Sequence, residues 1–162
     1  MKVTIFKNVY EKEAPHHIQL VTALSRIQEG KSKDLIDEGR AGNKEKKKKL
    51  PVVCFSGEFS SRADDSLFEH SGFIVLDFDH VDVKATKTAL ATDDYVHSCW
   101  VSPSGDGIKA LVQITNTERH RDHFRALTTY FNKQYTLEVD ESGINESRAC
   151  FESYDEDIII KD

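Results

Sequence analysis

The chain has 162 residues, with 28 Asp and Glu against 22 Lys and Arg, a formal net charge of -6 and 38% hydrophobic residues. That is one domain with its own core; no apolar run approaches a membrane span, and the acidic balance excludes a uniformly basic nucleic-acid coat while allowing a local basic site. Cys54, Cys99 and Cys150 are isolated, with no Cys-x-x-Cys pair, which argues against a zinc site or a disulfide framework and for a reducing cytoplasm.

Residues 3–9 read as a first strand. Pro15 opens a helix with Ile18, Leu20, Val21, Leu24 and Ile27 on its apolar side, stopped by Gly30. A short helix is expected near Lys33–Glu38, followed by a loop from Gly39 to Lys49. Pro51–Phe55 reads as a strand ending at Ser56-Gly57, and Ser60–Glu69 as a polar connection. Phe73–Asp79 is a strand whose uninterrupted apolar start implies cover on both faces. A helix near Asp82–Ala91 has Asp82 as its N-cap. Tyr95–Val101 and Ile108–Ile114 are strands joined by the turn Ser102-Pro103-Ser104-Gly105-Asp106-Gly107. Ile108, Ala110, Val112 and Ile114 share one face of the second, with Lys109, Leu111 and Gln113 on the other. Asn116 or Thr117 starts a helix through about Gln134, and Leu137–Asp140, Arg148–Tyr154 and Ile158–Ile160 read as short strands. Helices interspersed with strands and a hairpin predict an α+β domain, single over 1–162, with a mainly antiparallel sheet flanked by helices.

The pair Asp77 and Asp79 ends the apolar strand. Alternate residues lie on one pleat face, so the two carboxylates stand about 6–7 Å apart at their Cα atoms and reach one hard cation or a pair. Oxygen ligands point to Mg²⁺ or Mn²⁺. The plainer alternative is a strand end whose aspartates cap the next turn and helix. In the turn, Gly105 and Gly107 allow close backbone approach, Ser102 and Ser104 add hydroxyls, and Lys109 adds a cation; together they suit a triphosphate, although Gly-Asp-Gly also makes an ordinary hairpin turn. Asp140 reads as a third metal ligand and Arg148 as a forked donor for phosphate, or as a surface ion-pair partner. Lys44, Lys46, Lys47, Lys48 and Lys49 form a basic island, either a solvated loop or a contact for a nucleic-acid backbone. The histidines, His16, His17, His120 and His123 among them, form no spaced metal motif and read as solvated surface residues. Trp100 reads as a core residue close enough to the turn to stack on a base.

In order, Leu76-Asp77-Phe78-Asp79, then Ser102-Pro103-Ser104-Gly105-Asp106-Gly107-Ile108-Lys109, then Val139-Asp140, then Ser147-Arg148 before a strand resemble the archaeo-eukaryotic primase superfamily. The likeness is nearest to the primase-polymerase-like N-terminal domain of virulence-associated protein E proteins of phages and mobile elements. Lys49-Leu50-Pro51 leading to Phe55-Ser56-Gly57, and Ser71-Gly72-Phe73, add to it, and the likeness covers about residues 49–155. It implies an RRM-like catalytic core that joins nucleotides on a template. Asp77, Asp79 and Asp140 would hold two metals; Ser102, Ser104, Gly105, Gly107, Lys109 and Arg148 would contact the nucleotide. The wider superfamily carries histidine at the step of Lys109, and lysine keeps the charge without the imidazole's proton chemistry.

The expected function is therefore that of a DNA primase or primase-polymerase domain. It would be a nucleotidyltransferase using nucleoside triphosphates, a single-stranded DNA template and two Mg²⁺ or Mn²⁺ ions. It is expected to be cytoplasmic, to have no membrane role, and to be part of a larger replication protein with a helicase partner. The alternative is a degenerate primase-like domain that binds nucleotide or nucleic acid and recruits a helicase. A metal-dependent nuclease ranks below both, for want of a nucleophilic tyrosine or histidine cluster near the acidic pair.

Overall fold

The computed structural model describes residues 1–161. The first strand, β1 (Lys2–Phe6), pairs antiparallel with β2 (His16–Gln19). This corrects the expected helix from Pro15: the ladder to β1 takes His16, His17 and Ile18 into a strand, and α1 starts only at Leu20 (Leu20–Glu29). Proline fixes its own φ and donates no hydrogen bond, which suits a strand approach as well as a helix start. Gly30 closes α1 in the left-handed region at φ 78°.

After α2 (Lys33–Arg40), the lysine-rich segment Lys44–Lys49 is a 3₁₀ helix rather than an open loop. Strand β3 (Val52–Cys54) follows, and β4 (Gly57–Phe59) pairs with β5 (Leu67–His70), so the expected polar connection carries half a hairpin. The central strand β6 (Phe73–Phe78) is buried throughout. Next come α3 (Val83–Ala91), capped by Asp82 Oδ1 on the Ala85 N–H, then β7 (Val96–Val101) and β8 (Ile108–Gln113). A 3₁₀ turn at Thr117–Arg119 leads into α4 (His120–Tyr135). Residues 137–140 form no strand, a second correction, and give way to a 3₁₀ turn at Glu141–Gly143. Short β9 (Cys150–Phe151) and β10 (Ile159–Ile160) complete the chain.

Two four-stranded antiparallel sheets result, ordered β2-β1-β3-β9 and β10-β7-β8-β6. The second is the middle layer. Ile74, Leu76 and Phe78 face α3 and α4 in one core with Ala110, Val112, Leu90, Phe124 and Phe131. Phe73 and Val75 face the first sheet and α1 in another, with Trp100, Leu111, Phe55, Leu24 and Ile27. The apolar run of β6 is thus covered on both sides, as its sequence predicts. Trp100 is fully buried in the second core, as its reading as a core residue expects, and its ring is therefore not open to stack on a base.

His120 is a further correction. It is buried at the start of α4, not solvated. The Gly72 N–H donates to His70 Nδ1 at 2.9 Å, so the other His70 nitrogen carries the proton and donates to His120 Nδ1 at 3.0 Å. Burial and the neighbouring His120 push His70 down to about 4, and burial lowers His120 as well. The unfolded chain takes up these protons near pH 6.5 and the folded chain only lower, so their contribution to stability is whole above about pH 6.5 and is lost as pH falls toward 4. The expected outcome is a melting temperature that falls by several degrees between pH 7 and 4.5. His70→Gln should flatten that slope, and an unchanged slope in the variant would refute the assignment.

Candidate functional site

Asp77 lies on the face of β6 turned toward the first sheet, at the strand's end. Its cross-strand neighbour on β8 is Lys109, and directly opposed side chains interact. Lys109 Nζ donates to Asp77 Oδ1 at 2.8 Å. Arg148, arriving just before β9, reaches across from the other sheet and donates to Asp77 Oδ2 at 2.7 Å. The Asp77 side chain is only 7% exposed. Burial favours its neutral form, but the charge and hydrogen bond of Lys109, with those of Arg148, outweigh burial and hold the carboxyl below its ordinary value. Cys150 stands beside this group, and burial pushes its thiol up to about 11, so it is neutral there at pH 7.

Asp140 reaches the same place from the far side of the middle sheet. The 137–140 segment leaves α4, buries Leu137 and Val139 against its core, and lies along the free edge of β6, where the Asp140 N–H donates to the Asp77 carbonyl at 2.9 Å. Asp140 Oδ1 accepts from Ser142 N and Oγ; Oδ2 lies 3.6 Å from the same Arg148 nitrogen that holds Asp77. Two carboxylates from distant parts of the chain therefore share one guanidinium. The open space alongside, about 690 Å³ between α4 and residues 137–142, includes Asp140 in its lining.

The glycine turn joins the other end of the group. A Cβ on Gly107 would come within 2.8 Å of the Phe78 carbonyl, so only glycine lets the turn lie this close to the strand carrying the acids. Its polar groups are largely self-satisfied: Ser102 Oγ accepts from Gly107 N at 3.1 Å and pairs with Ser104 Oγ, and Gly105 N donates to the Ser102 carbonyl. Asp79 is exposed and lies against Gly107. It makes no ion pair with Lys109 or Arg148. The group that converges is thus Asp77, Asp140, Lys109 and Arg148, with Asp79 and the Ser102–Gly107 turn at its rim.

Several residues that hold this arrangement carry no sequence signal. Arg40 of α2 donates to the carbonyls of Ser102 (2.9 Å) and Pro103 (3.3 Å), fixing the turn from outside. His80, at φ 53°, and Ser104 both pair with Asp106, which stitches the turn to the end of β6. Asp64 accepts from Ser147 N, Ser147 Oγ and Asn145 Nδ2, and Arg121 pairs with Glu146, which pins the loop before Arg148. The Asp-Gly pair of the turn was legible as turn chemistry; the long-range partners were not. In the basic island, Lys46 and Lys48 pair with Glu38 and Glu45, and Lys47 lies over the Phe151 ring. Among the described residues, Lys44 and Lys49 make no ion pair.

Among the described residues, no three His, Cys, Asp or Glu side chains stand together as a ready metal cage. The donor set does fit a different arrangement. Mg²⁺ is commonly held by one or two carboxylates while substrate phosphates and water supply the remaining oxygens. Asp77 and Asp140 converge on one positive charge, that of Arg148, which stands where such a cation would be shared. Cationic side chains now satisfy both oxygens of Asp77, so the cation would have to take their place.

Fold and site together define a two-sheet α+β domain with a carboxylate pair and two basic residues beside a glycine turn. The sequence model of the BT4734-like N-terminal domain matches residues 45–159, and the chain belongs to that family. No curated protein and no solved structure matches it. No helix among the described residues is long and apolar enough to cross a membrane.

Proposed function

We propose that this chain is a primase-polymerase domain that adds nucleotides to a strand paired with a single-stranded DNA template. The observation that carries the proposal is the meeting of Asp77 and Asp140 at Arg148, with Lys109 and the glycine turn alongside. The resemblance of the ordered motifs to primase-polymerases supports the same reading. Asp77 and Asp140 would hold a divalent cation, Mg²⁺ or Mn²⁺, and Asp79, exposed at the rim, would help to hold a second. Such cations polarise the reacting phosphate and the attacking hydroxyl, and stabilise the leaving pyrophosphate.

The chain's own residues would do the rest. Lys109 and Arg148 would turn from Asp77 to the triphosphate and neutralise it, Arg148 as a fork and Lys109 as a point charge. The turn, held against β6 by Gly107 and by Arg40, would fix the edge of the nucleotide site. Lys44 and Lys49, which make no ion pair among the described residues, would meet a nucleic-acid backbone, a contact that weakens steeply with salt. A helicase would act with this domain in replication.

A binding-only role is the second reading. The lysine at position 109 and the cations that already hold both oxygens of Asp77 favour it. The deciding experiment is incorporation of labelled nucleotides on a single-stranded template, with and without a primer, in Mn²⁺ or Mg²⁺. Polymer growth that EDTA abolishes is the expected result. Nucleotide binding without growth under any of these conditions would leave the binding-only role.

A further inference from the structure

We propose that the ring of Phe151 seats one base of a single-stranded DNA, with Lys47 covering the ring until a strand arrives; the inference rests on the template reading above and gives it a place. Lys47 Nζ lies 5.0 Å from the centre of the Phe151 ring, within reach of a cation–π contact. Phe151 stands on β9, an edge strand of the first sheet, and is half-buried against Phe6, Val52, Cys54 and Phe59. Lys47 is exposed and makes no ion pair among the described residues. The 3₁₀ period sets the contact: side chains three apart share a row, so Lys44, Lys47 and Leu50 align. Leu50 is buried at the foot of that row, and Lys47 falls on the ring.

The charge beside the ring fits a polyanion. Lys44–Lys49 holds five lysines and one glutamate, a balance of +4 in a chain of -6, so the remaining residues together stand at -10. The more exposed rings have the opposite setting: Tyr10, Phe68 and Tyr95 are each followed by an acid, Glu11, Glu69 and Asp94. Lys33 over Tyr154 is similar at 5.6 Å, but Lys33 is held by Asp37 at 2.6 Å and the Tyr154 ring lies against Gly30. Phe151 is three residues beyond Arg148, at most about 11 Å away at the Cα atoms. It packs in the outer core while Cys150 packs between the sheets, so a strand seated there passes beside the acid group rather than through it. An exposed cation–π contact is weak, and a stacked base is worth more. A base on the ring also frees the Lys47 ammonium for a neighbouring phosphate. The exchange leaves the ring covered and the lysine paired, and a polyanion without bases offers only the second half of it.

The test is fluorescence anisotropy in EDTA with a labelled oligothymidylate and with an abasic sugar-phosphate strand of the same length. Wild type is expected to bind the thymidylate strand about tenfold tighter, the scale of one stacked base. Phe151→Leu, which keeps an apolar contact with the outer core, is expected to lose that tenfold and to bind the abasic strand as wild type does. Lys47→Gln is expected to weaken both strands and to lower the salt slope by about 0.7, the loss of one phosphate contact. Equal binding of the two strands by wild type, or an unchanged preference in Phe151→Leu, overturns the inference. Should Phe151→Leu not melt cooperatively, photocrosslinking of an iodouracil strand to the wild-type chain carries the test: an adduct mapped to Phe151 is expected, and adducts only elsewhere, or none, overturn it. Incorporation is scored separately: its absence beside a Phe151→Leu variant that loses the base preference sinks the polymerase reading alone, and its presence beside an unchanged preference sinks the stacking seat alone.

Discussion

Asp140→Asn is expected to lower template-directed incorporation by about a hundredfold to a thousandfold, the usual scale for removing one charged or polar group that acts on the reacting atoms, while the thermal midpoint stays close to that of wild type. Asparagine caps a 3₁₀ turn as well as aspartate does, so it keeps the bonds to Ser142 N and Oγ, and position 140 is partly exposed. Asp77→Ala is expected to lose incorporation as well, together with about 3–5 kcal/mol of stability, because it strands Lys109 and Arg148 without their carboxylate. In a domain of this size that is a fall in melting temperature of about 10 °C. The two acids, equivalent as ligand types, thus separate in a paired measurement of activity and melting. Incorporation retained by Asp140→Asn would remove that residue from the site; unchanged melting of Asp77→Ala would mean that the two ion pairs contribute little.

Phe131→Ala is expected to cost about 3–5 kcal/mol, again about 10 °C in melting temperature. Phe131 is fully buried in α4, and its ring stands 5.5 Å from that of Phe78, 5.0 Å from Tyr130 and 6.0 Å from Tyr135. Phe78 lies between Asp77 and Asp79 and points the opposite way. A void at position 131 therefore loosens the support directly behind the two acids, and incorporation is expected to fall with stability even though Phe131 touches no part of the site. Phe131→Leu, which keeps most of the volume, should restore much of both. A Phe131→Ala protein melting within 2–3 °C of wild type would show that this layer does not support β6.

Within the site, legibility followed range. Asp77, Asp79, Lys109 and the glycine turn stand in two short stretches whose alternation and turn chemistry are local, and β6 and β8 appear where the pattern puts them. The pairing of Asp77 with Lys109 depends on register between strands 32 positions apart, which no local pattern states. Arg40, His80 and Asp64 were missed for the same reason: each acts on a partner that only folding brings near, and a single arginine or aspartate on the surface has no signature. The errors in secondary structure have a related cause. His16–Gln19 carries an adequate helical face but is claimed by β1, and residues 137–140 carry strand-like alternation but meet the edge of β6 through a single backbone bond, Asp140 N–H to the Asp77 carbonyl, which makes no ladder. His120 looked like a polar helix residue until His70 met its ring.

The sequence by itself determined the class of the domain and the residue types at its candidate site: a doubly covered apolar strand ending in acids, a glycine turn before a lysine, and an α+β order of elements. Those properties depend on side-chain period, capping and turn preference, which act over a few residues. Tertiary structure alone decided that Asp140 docks on the free edge of β6, that Arg148 crosses between sheets to reach Asp77, and that the acids rest against cations. Those outcomes depend on which buried charges can find partners once two sheets close on a shared core, and burial makes an unpaired charge too costly to leave.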